Sequence, residues 1–75
     1  MPLEIPFPEP EKLAEKPLKA WELHEYLEKN GVKPLVVRVD NSLGKVWLYF
    51  EAEPDEKTKK RVYELVVEYY RKHVG

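Results

Sequence analysis

Cysteine and glutamine are absent from this 75-residue sequence, which also has only three glycines and single copies of serine and threonine. Without cysteine, disulfide bridges and cysteine-type zinc sites are excluded. A single domain of this length buries only about 60% of the surface that its unfolded chain exposes. Small scaffolds therefore need another source of stability, and regular local structure or association with a partner is expected here.

An excess of charge of one sign is also missing, as are long apolar runs. The 13 basic and 14 acidic side chains leave a formal charge of −1, whereas nucleic-acid-binding domains normally carry a basic excess. No apolar run approaches the roughly 20 residues that span a bilayer. The first twelve residues lack the basic and apolar regions of a signal peptide. The composition predicts a cytoplasmic protein that contacts no membrane and disfavours nucleic acid as a partner.

Residues suited to catalysis are few. Ser42 and Thr58 are the only aliphatic hydroxyls, and neither has a histidine nearby in sequence. Activated nucleophiles need such a base, and phosphate-binding loops need more glycine than this chain has. We therefore predict that the protein is not an enzyme and binds no cofactor.

Metal-binding patterns are weak. His24 and Glu28 have an i,i+4 spacing that suits a metal, but His73 is expected at the end of another helix, too far away to share an ion. Residues 40–51 match an EF-hand calcium loop only in part, because Lys45 stands where glycine is required. The sequence predicts no metal site.

The first ten residues form a proline-rich segment with a regular alternation. Prolines at positions 2, 6 and 8 alternate with Leu3, Ile5 and Phe7. In a strand, all the missing N–H donors would lie on one edge, and residues 3, 5 and 7 would keep their donors on the other. The pattern predicts an edge strand whose outer rim is blocked against pairing. The alternative is an extended tail without a partner strand.

The rest of the chain predicts two helices around a hairpin. A short helical turn is predicted over 9–16, a helix over 17–30, a β-hairpin over 35–52 and a second helix over 54–74. The fold class is therefore α+β, in the order β-α-β-β-α within one domain, 1–75. We expect a three-stranded antiparallel sheet, its central strand being the more apolar second strand of the hairpin, with both helices on one face. The arrangement resembles a ferredoxin-like fold that lacks its last strand, an analogy of architecture that implies no function.

The apolar stripes of these elements predict the core. They are Ala20, Leu23 and Leu27 in the first helix, Leu35, Val37 and Val39 in the first hairpin strand, Val46, Leu48, Phe50 and Ala52 in the second, and Val62, Leu65, Val66 and Tyr69 in the last helix.

Two apolar surfaces exceed what this core needs. On the sheet, Val36, Arg38, Trp47 and Tyr49 point away from the helices, and we predict a protein interface there because Trp, Tyr and Arg are enriched at binding hot spots. The alternative is cross-strand pairing that stabilises a small sheet. On the last helix, a second stripe predicts a secondary interface or packing against Trp21 or Tyr26 of the first helix. This stripe consists of Tyr63, Val67, Tyr70 and Val74.

A basic run at the start of the last helix supports one further function. Lys57, Lys59, Lys60 and Arg61, together with Arg38 and the sheet aromatics, would suit a small nucleic-acid-binding domain. We rank this reading below protein binding because the total charge is close to neutral.

The chain as a whole resembles a computationally designed small α/β protein. Its surface is almost entirely Glu and Lys, and its helix ends, such as EKNG and EPDEK, follow design rules. The resemblance implies a thermostable de novo scaffold, although hyperthermophile proteins share this composition. The sequence therefore predicts a non-enzymatic interaction module that binds another protein or forms a homodimer, with a scaffold of no function as an alternative.

Overall fold

The computed structural model describes residues 2–75 and contains three strands and two α-helices. The elements are β1 (Leu3–Pro6), a 3-10 helix (Pro10–Ala14), α1 (Ala20–Lys29), β2 (Val36–Asp40), β3 (Lys45–Tyr49) and α2 (Glu56–Val74). The strand order is β1-β3-β2, and both neighbouring pairs are antiparallel. The α+β class, the element order and the central position of the second hairpin strand are thus confirmed. Among residues 2–75, no helix combines the length and the apolar character needed to cross a membrane.

The N-terminal segment is an edge strand, so the alternative of an unpaired tail is wrong. Leu3 pairs with Leu48 and Ile5 with Val46, and the Phe7 N–H donates to the Gly44 carbonyl at 2.9 Å. The donors at odd positions therefore face β3, and the prolines lie on the outer rim. Since Glu4 supplies the one N–H that remains on this rim within β1 and a regular ladder needs a donor at every second residue, the outer edge of β1 pairs poorly with another strand.

Helix α1 begins three residues later than the sequence predicts. The Asn41 side chain binds both backbone groups of Leu18: the Leu18 N–H donates to Asn41 Oδ1 at 2.7 Å, and Asn41 Nδ2 donates to the Leu18 carbonyl at 3.0 Å. Leu18 is itself buried. This contact holds the chain after Pro17 outside the helix, which therefore begins at Ala20. The end of the helix matches the prediction, with Gly31 at φ +85°.

Both helices pack on one face of the sheet. Helix α1 contacts β2 and α2, and buried side chains of both helices join those of the sheet in one cluster. The buried apolar residues are Ile5, Phe7, Leu13, Leu18, Leu23, Leu27, Val32, Val37, Val46, Leu48, Val62, Leu65, Val66 and Tyr70. Leu35 and Ala52 were predicted in this core but are exposed. They lie outside β2 and β3, so the alternation of the strands does not extend to them.

The core stripe of α2 contains Tyr70, where the sequence predicts Tyr69. Tyr70 is 2% exposed, its ring is stacked on Phe7 with centroids 5.0 Å apart, and its hydroxyl donates to the Glu9 carbonyl. Tyr69 is half-buried and contacts Tyr26 of α1, with centroids 5.0 Å apart. The N-terminal segment covers a second side of α2, a contact that helical periodicity alone does not predict.

Asp55 caps the N-terminus of α2. Its side chain accepts a hydrogen bond from the Thr58 N–H at 2.8 Å, and hydrogen bonds from Thr58 hold the pKa of Asp55 below its ordinary value. A carboxyl whose pKa is lower in the folded than in the unfolded state stabilises the fold. This stabilisation is fully present above the unfolded-state pKa, and it is lost as the pH falls through the folded-state pKa.

We expect Asp55→Ala to lower the melting temperature by about 5 °C at neutral pH, because the cap is lost. The difference from the original chain should shrink below about pH 4 and vanish once the carboxyl is protonated. Thermal unfolding followed by circular dichroism between about pH 2 and pH 7 measures this dependence. Asp55→Asn, which keeps a neutral oxygen acceptor, is the control, and a deficit for Asp55→Ala that is independent of pH would contradict the assignment.

Candidate functional site

Strand pairing arranges three rows of side chains on the sheet face opposite the helices. We call this surface the open face. Its middle row is Glu4, Trp47 and Arg38, with Tyr49 and Val36 on one side and Pro6, Lys45 and Asp40 on the other. The four residues predicted as an interface on this face, Val36, Arg38, Trp47 and Tyr49, are therefore brought together by the register.

The centre of the open face is apolar and accessible. Val36 is 47% exposed, Arg38 is exposed, and the rings of Trp47 and Tyr49 are half-buried. Val36 pairs with Tyr49 and Arg38 with Trp47, and such cross-strand pairs stabilise a sheet. An antiparallel face turned to water is nevertheless usually polar. Cross-strand pairing therefore explains why apolar residues lie on this face. It does not explain why their side chains stay exposed to water.

Glu4 of β1 also belongs to this surface and is not among the interface residues predicted from the sequence. Trp47 Nε1 donates to Glu4 Oε1 at 3.1 Å, and Lys45 Nζ lies 3.7 Å from the same oxygen. The alternation of β1 carried the signal, because it places Glu4 on the face opposite to Ile5. This hydrogen bond satisfies the indole N–H and orients the ring of Trp47 on the open face.

Arg38 is the cation on this face that has no acidic partner within 4.0 Å among residues 2–75. Among residues 2–75, the ion pairs within 4.0 Å involve other cations, including Lys45 with Glu4. A guanidinium has five N–H donors in a planar fork that matches a carboxylate. Arg38 therefore offers these donors to an external acceptor beside Trp47.

The predicted secondary interface on α2 does not form one surface. Tyr70 is buried against Phe7, and Val74 packs partly against the core. Tyr63 is 49% exposed and Val67 half-buried, so only these two remain on an outer side of the helix. The four residues were placed together because they share a helical spacing, but the N-terminal segment covers the part of the stripe around Tyr70.

Packing between the two helices runs through other aromatic residues. The Tyr26 hydroxyl donates to Glu68 Oε1 at 2.8 Å, which raises the pKa of Tyr26 and lowers that of Glu68. Tyr26 also contacts Tyr69. Trp21 is 65% exposed, so the predicted packing of the α2 stripe against Trp21 is wrong.

The basic run and Arg38 lie at opposite edges of the molecule. Lys59 and Lys60 line a groove with residues of β1, at one edge of the sheet, and Arg38 belongs to β2, at the other. Lys59 also pairs with Glu53 at 3.7 Å and with Glu56 at 3.5 Å. The structure therefore does not join the sheet aromatics, Arg38 and the basic run into one phosphate-binding surface.

The two histidines each bind a backbone carbonyl. His24 Nε2 lies 2.9 Å from the Pro34 carbonyl, and His73 Nε2 lies 2.8 Å from the Lys16 carbonyl. Because a carbonyl oxygen can only accept, Nε2 is the donor in each contact, and each histidine ties a helix to a loop. Over residues 2–75, no three His, Asp or Glu side chains are grouped as a metal site would require.

The carboxyl of Asp40 organises the hairpin turn. Asp40 Oδ1 accepts from the Ser42 N–H at 3.0 Å, the Ser42 hydroxyl at 2.6 Å and the Leu43 N–H at 3.0 Å. These hydrogen bonds, led by that of the hydroxyl, lower the pKa of Asp40. Asp40, which occupies the first position of the partial calcium-loop match, thus stabilises the turn between β2 and β3 through Oδ1.

No protein family, curated protein or solved structure matches this chain.

Proposed function

We propose that this protein is a non-enzymatic interaction module that binds another protein through the open face. The supporting observation is Arg38, which has no acidic partner in the described part of the chain and lies beside Trp47 on a face whose centre is apolar. A few hot-spot residues carry most of the binding energy of a protein interface, and Trp, Tyr and Arg are enriched among them. The idealised helix ends and the Glu- and Lys-rich surface support the second part of the proposal, that the module is a designed scaffold.

The size of the open face limits the affinity. Three strands spaced about 4.8 Å apart, each about five residues long, give a footprint of about 250 Å². A stable complex of standard size takes about 800 Å² from each partner. Binding at this face is therefore weak, and the partner that fits it presents an apolar centre with a carboxylate opposite Arg38.

Selection of a random displayed peptide library on the immobilised protein tests the proposal. We expect the selected peptides to carry apolar residues and a carboxylate. Their affinity should fall about 10-fold or more in Trp47→Ala and in Arg38→Ala, as for hot-spot truncations. Because Arg38 is exposed, its truncation should leave the fold intact in circular dichroism.

Trp21→Ala provides the matched control, since Trp21 is 65% exposed but lies on α1, away from the open face. Peptides that lose binding in Trp21→Ala and keep it in both open-face variants would contradict the proposal. Failure to select any peptide would favour the scaffold without a binding function.

A further inference from the structure

We infer that the partner of the open face is a second copy of this chain, related by a two-fold axis that runs parallel to the strands. The inference rests on the proposed function and adds the identity of the partner. It follows from the middle row of the face, where Glu4 lies on one edge strand, Trp47 at the centre and Arg38 on the other edge strand.

This row is self-complementary in charge. A two-fold axis along β3 exchanges the two edges of the sheet, so Glu4 of each copy lies opposite Arg38 of the second copy, and the ion pair occurs twice. An axis along the row would place Glu4 opposite Glu4 and Arg38 opposite Arg38. Since like charges across an interface suppress a docking mode, the charges select the axis parallel to the strands.

The same axis brings the aromatic residues of β3 together. Trp47 and Tyr49 lie on the central strand, so each meets its counterpart on the second copy near the axis. Two sheets packed face to face lie about 10 Å apart, and an axis along β3 keeps the two central strands aligned, which leaves room for offset aromatic pairs. This axis also places Lys45 opposite its counterpart, but Lys45 lies at the end of β3, at the rim, where water and the Glu4 carboxylate 3.7 Å from its Nζ reduce the repulsion.

The sheet edge at β1 does not compete with this mode. Prolines occupy its outer rim, so a second copy cannot extend the sheet there by a regular ladder of hydrogen bonds. The small footprint makes the face-to-face dimer weak, and we expect a dissociation constant of about 50 µM to 1 mM.

Sedimentation equilibrium of the full chain from about 20 µM to 2 mM tests the inference. We expect a monomer–dimer equilibrium that Glu4→Arg and Arg38→Glu each weaken about 10-fold, because each replaces two attractive pairs with two repulsive ones. The double variant, Glu4→Arg with Arg38→Glu, should return to within about 3-fold of the original affinity, because the pair is restored with its charges exchanged.

Two further variants separate association from folding. Glu4→Gln keeps an oxygen acceptor for Trp47 Nε1 and removes only the charge, so it should weaken the dimer by about 3-fold. Arg71→Glu changes an exposed arginine on α2 and should leave the dimer unchanged.

In a Trp21→Phe background, the fluorescence of Trp47 should shift to shorter wavelength as the dimer forms.

A strict monomer at about 2 mM would overturn the inference. The proposed function would still stand if library peptides lose binding in Trp47→Ala and Arg38→Ala, because the partner would then be a foreign protein. The assigned two-fold geometry would be overturned if the single charge changes left the dissociation constant of the dimer unchanged. It would also be overturned if the double variant did not restore the original affinity.

Discussion

Gly44→Ala is expected to lower the free energy of unfolding by about 3–5 kcal/mol, a large part of the stability of a domain of this size. Gly44 has φ +68°, and an added Cβ would overlap the Cβ of Pro10 and lie 3.1 Å from its Cγ. The turn cannot move away cheaply, because the Gly44 N–H donates to Asp40 and its carbonyl accepts from Phe7. The cost therefore combines a left-handed backbone with a steric clash.

Gly31→Ala is the matched control for this prediction. Gly31 has φ +85°, but an added Cβ would meet no atom within 4 Å. Only the backbone cost remains, so we expect a loss of about 1 kcal/mol. Urea unfolding of both variants measures the difference. Pro10→Gly should restore part of the loss in Gly44→Ala, and equal losses at the two glycines without such coupling would contradict the contact.

Tyr70→Ala is expected to cost about 3–5 kcal/mol, as for other large aromatic residues removed from a core. Its ring fills the space between α2 and Phe7, and its hydroxyl binds the Glu9 carbonyl. The truncation therefore opens a cavity and also loosens the N-terminal segment. Besides a lower urea midpoint, we expect faster amide hydrogen exchange in β1 than in α1.

Two tyrosine variants separate the contributions to this effect. Tyr70→Phe keeps the ring and removes the hydrogen bond, so it should cost about 1 kcal/mol. Tyr63→Ala removes a tyrosine from the same helix that is 49% exposed, and it should cost less than about 1 kcal/mol. If Tyr63→Ala were as destabilising as Tyr70→Ala, Tyr70 would not have the core position described.

The regular features of this fold were predictable because they follow from local patterns. Alternation within the hairpin places Val36, Arg38, Trp47 and Tyr49 on one face, and the register confirms it. The prolines of the first segment, at 2, 6 and 8, are separated by even numbers of residues, so their missing donors all lie on one edge and indicate both a strand and the edge that it occupies. A repeat of two residues determines which face each side chain joins, and no distant contact changes that.

The errors arise where a distant contact determines the local structure. Asn41 binds the backbone of Leu18, 23 residues away in sequence, so that α1 begins later than predicted. The Tyr70 hydroxyl donates a hydrogen bond to the Glu9 carbonyl, 61 residues away in sequence. Tyr69 and Tyr70 are neighbours on a helix surrounded by several elements. Helical periodicity alone does not indicate which of them is buried. The alternation of β1 predicts the face on which Glu4 lies, but its hydrogen bond to Trp47 depends on the register with β3, which the sequence does not indicate.

The proline rim of β1 limits how far this protein can polymerise. An open sheet has two edges, and a filament grown by strand addition needs both of them to be adhesive. Here one edge belongs to β1 and the other to β2. With the first edge capped, two molecules that join through β2 expose only capped ends, and growth stops at that pair. The prolines of β1 thus prevent fibril growth by strand addition beyond a pair of molecules.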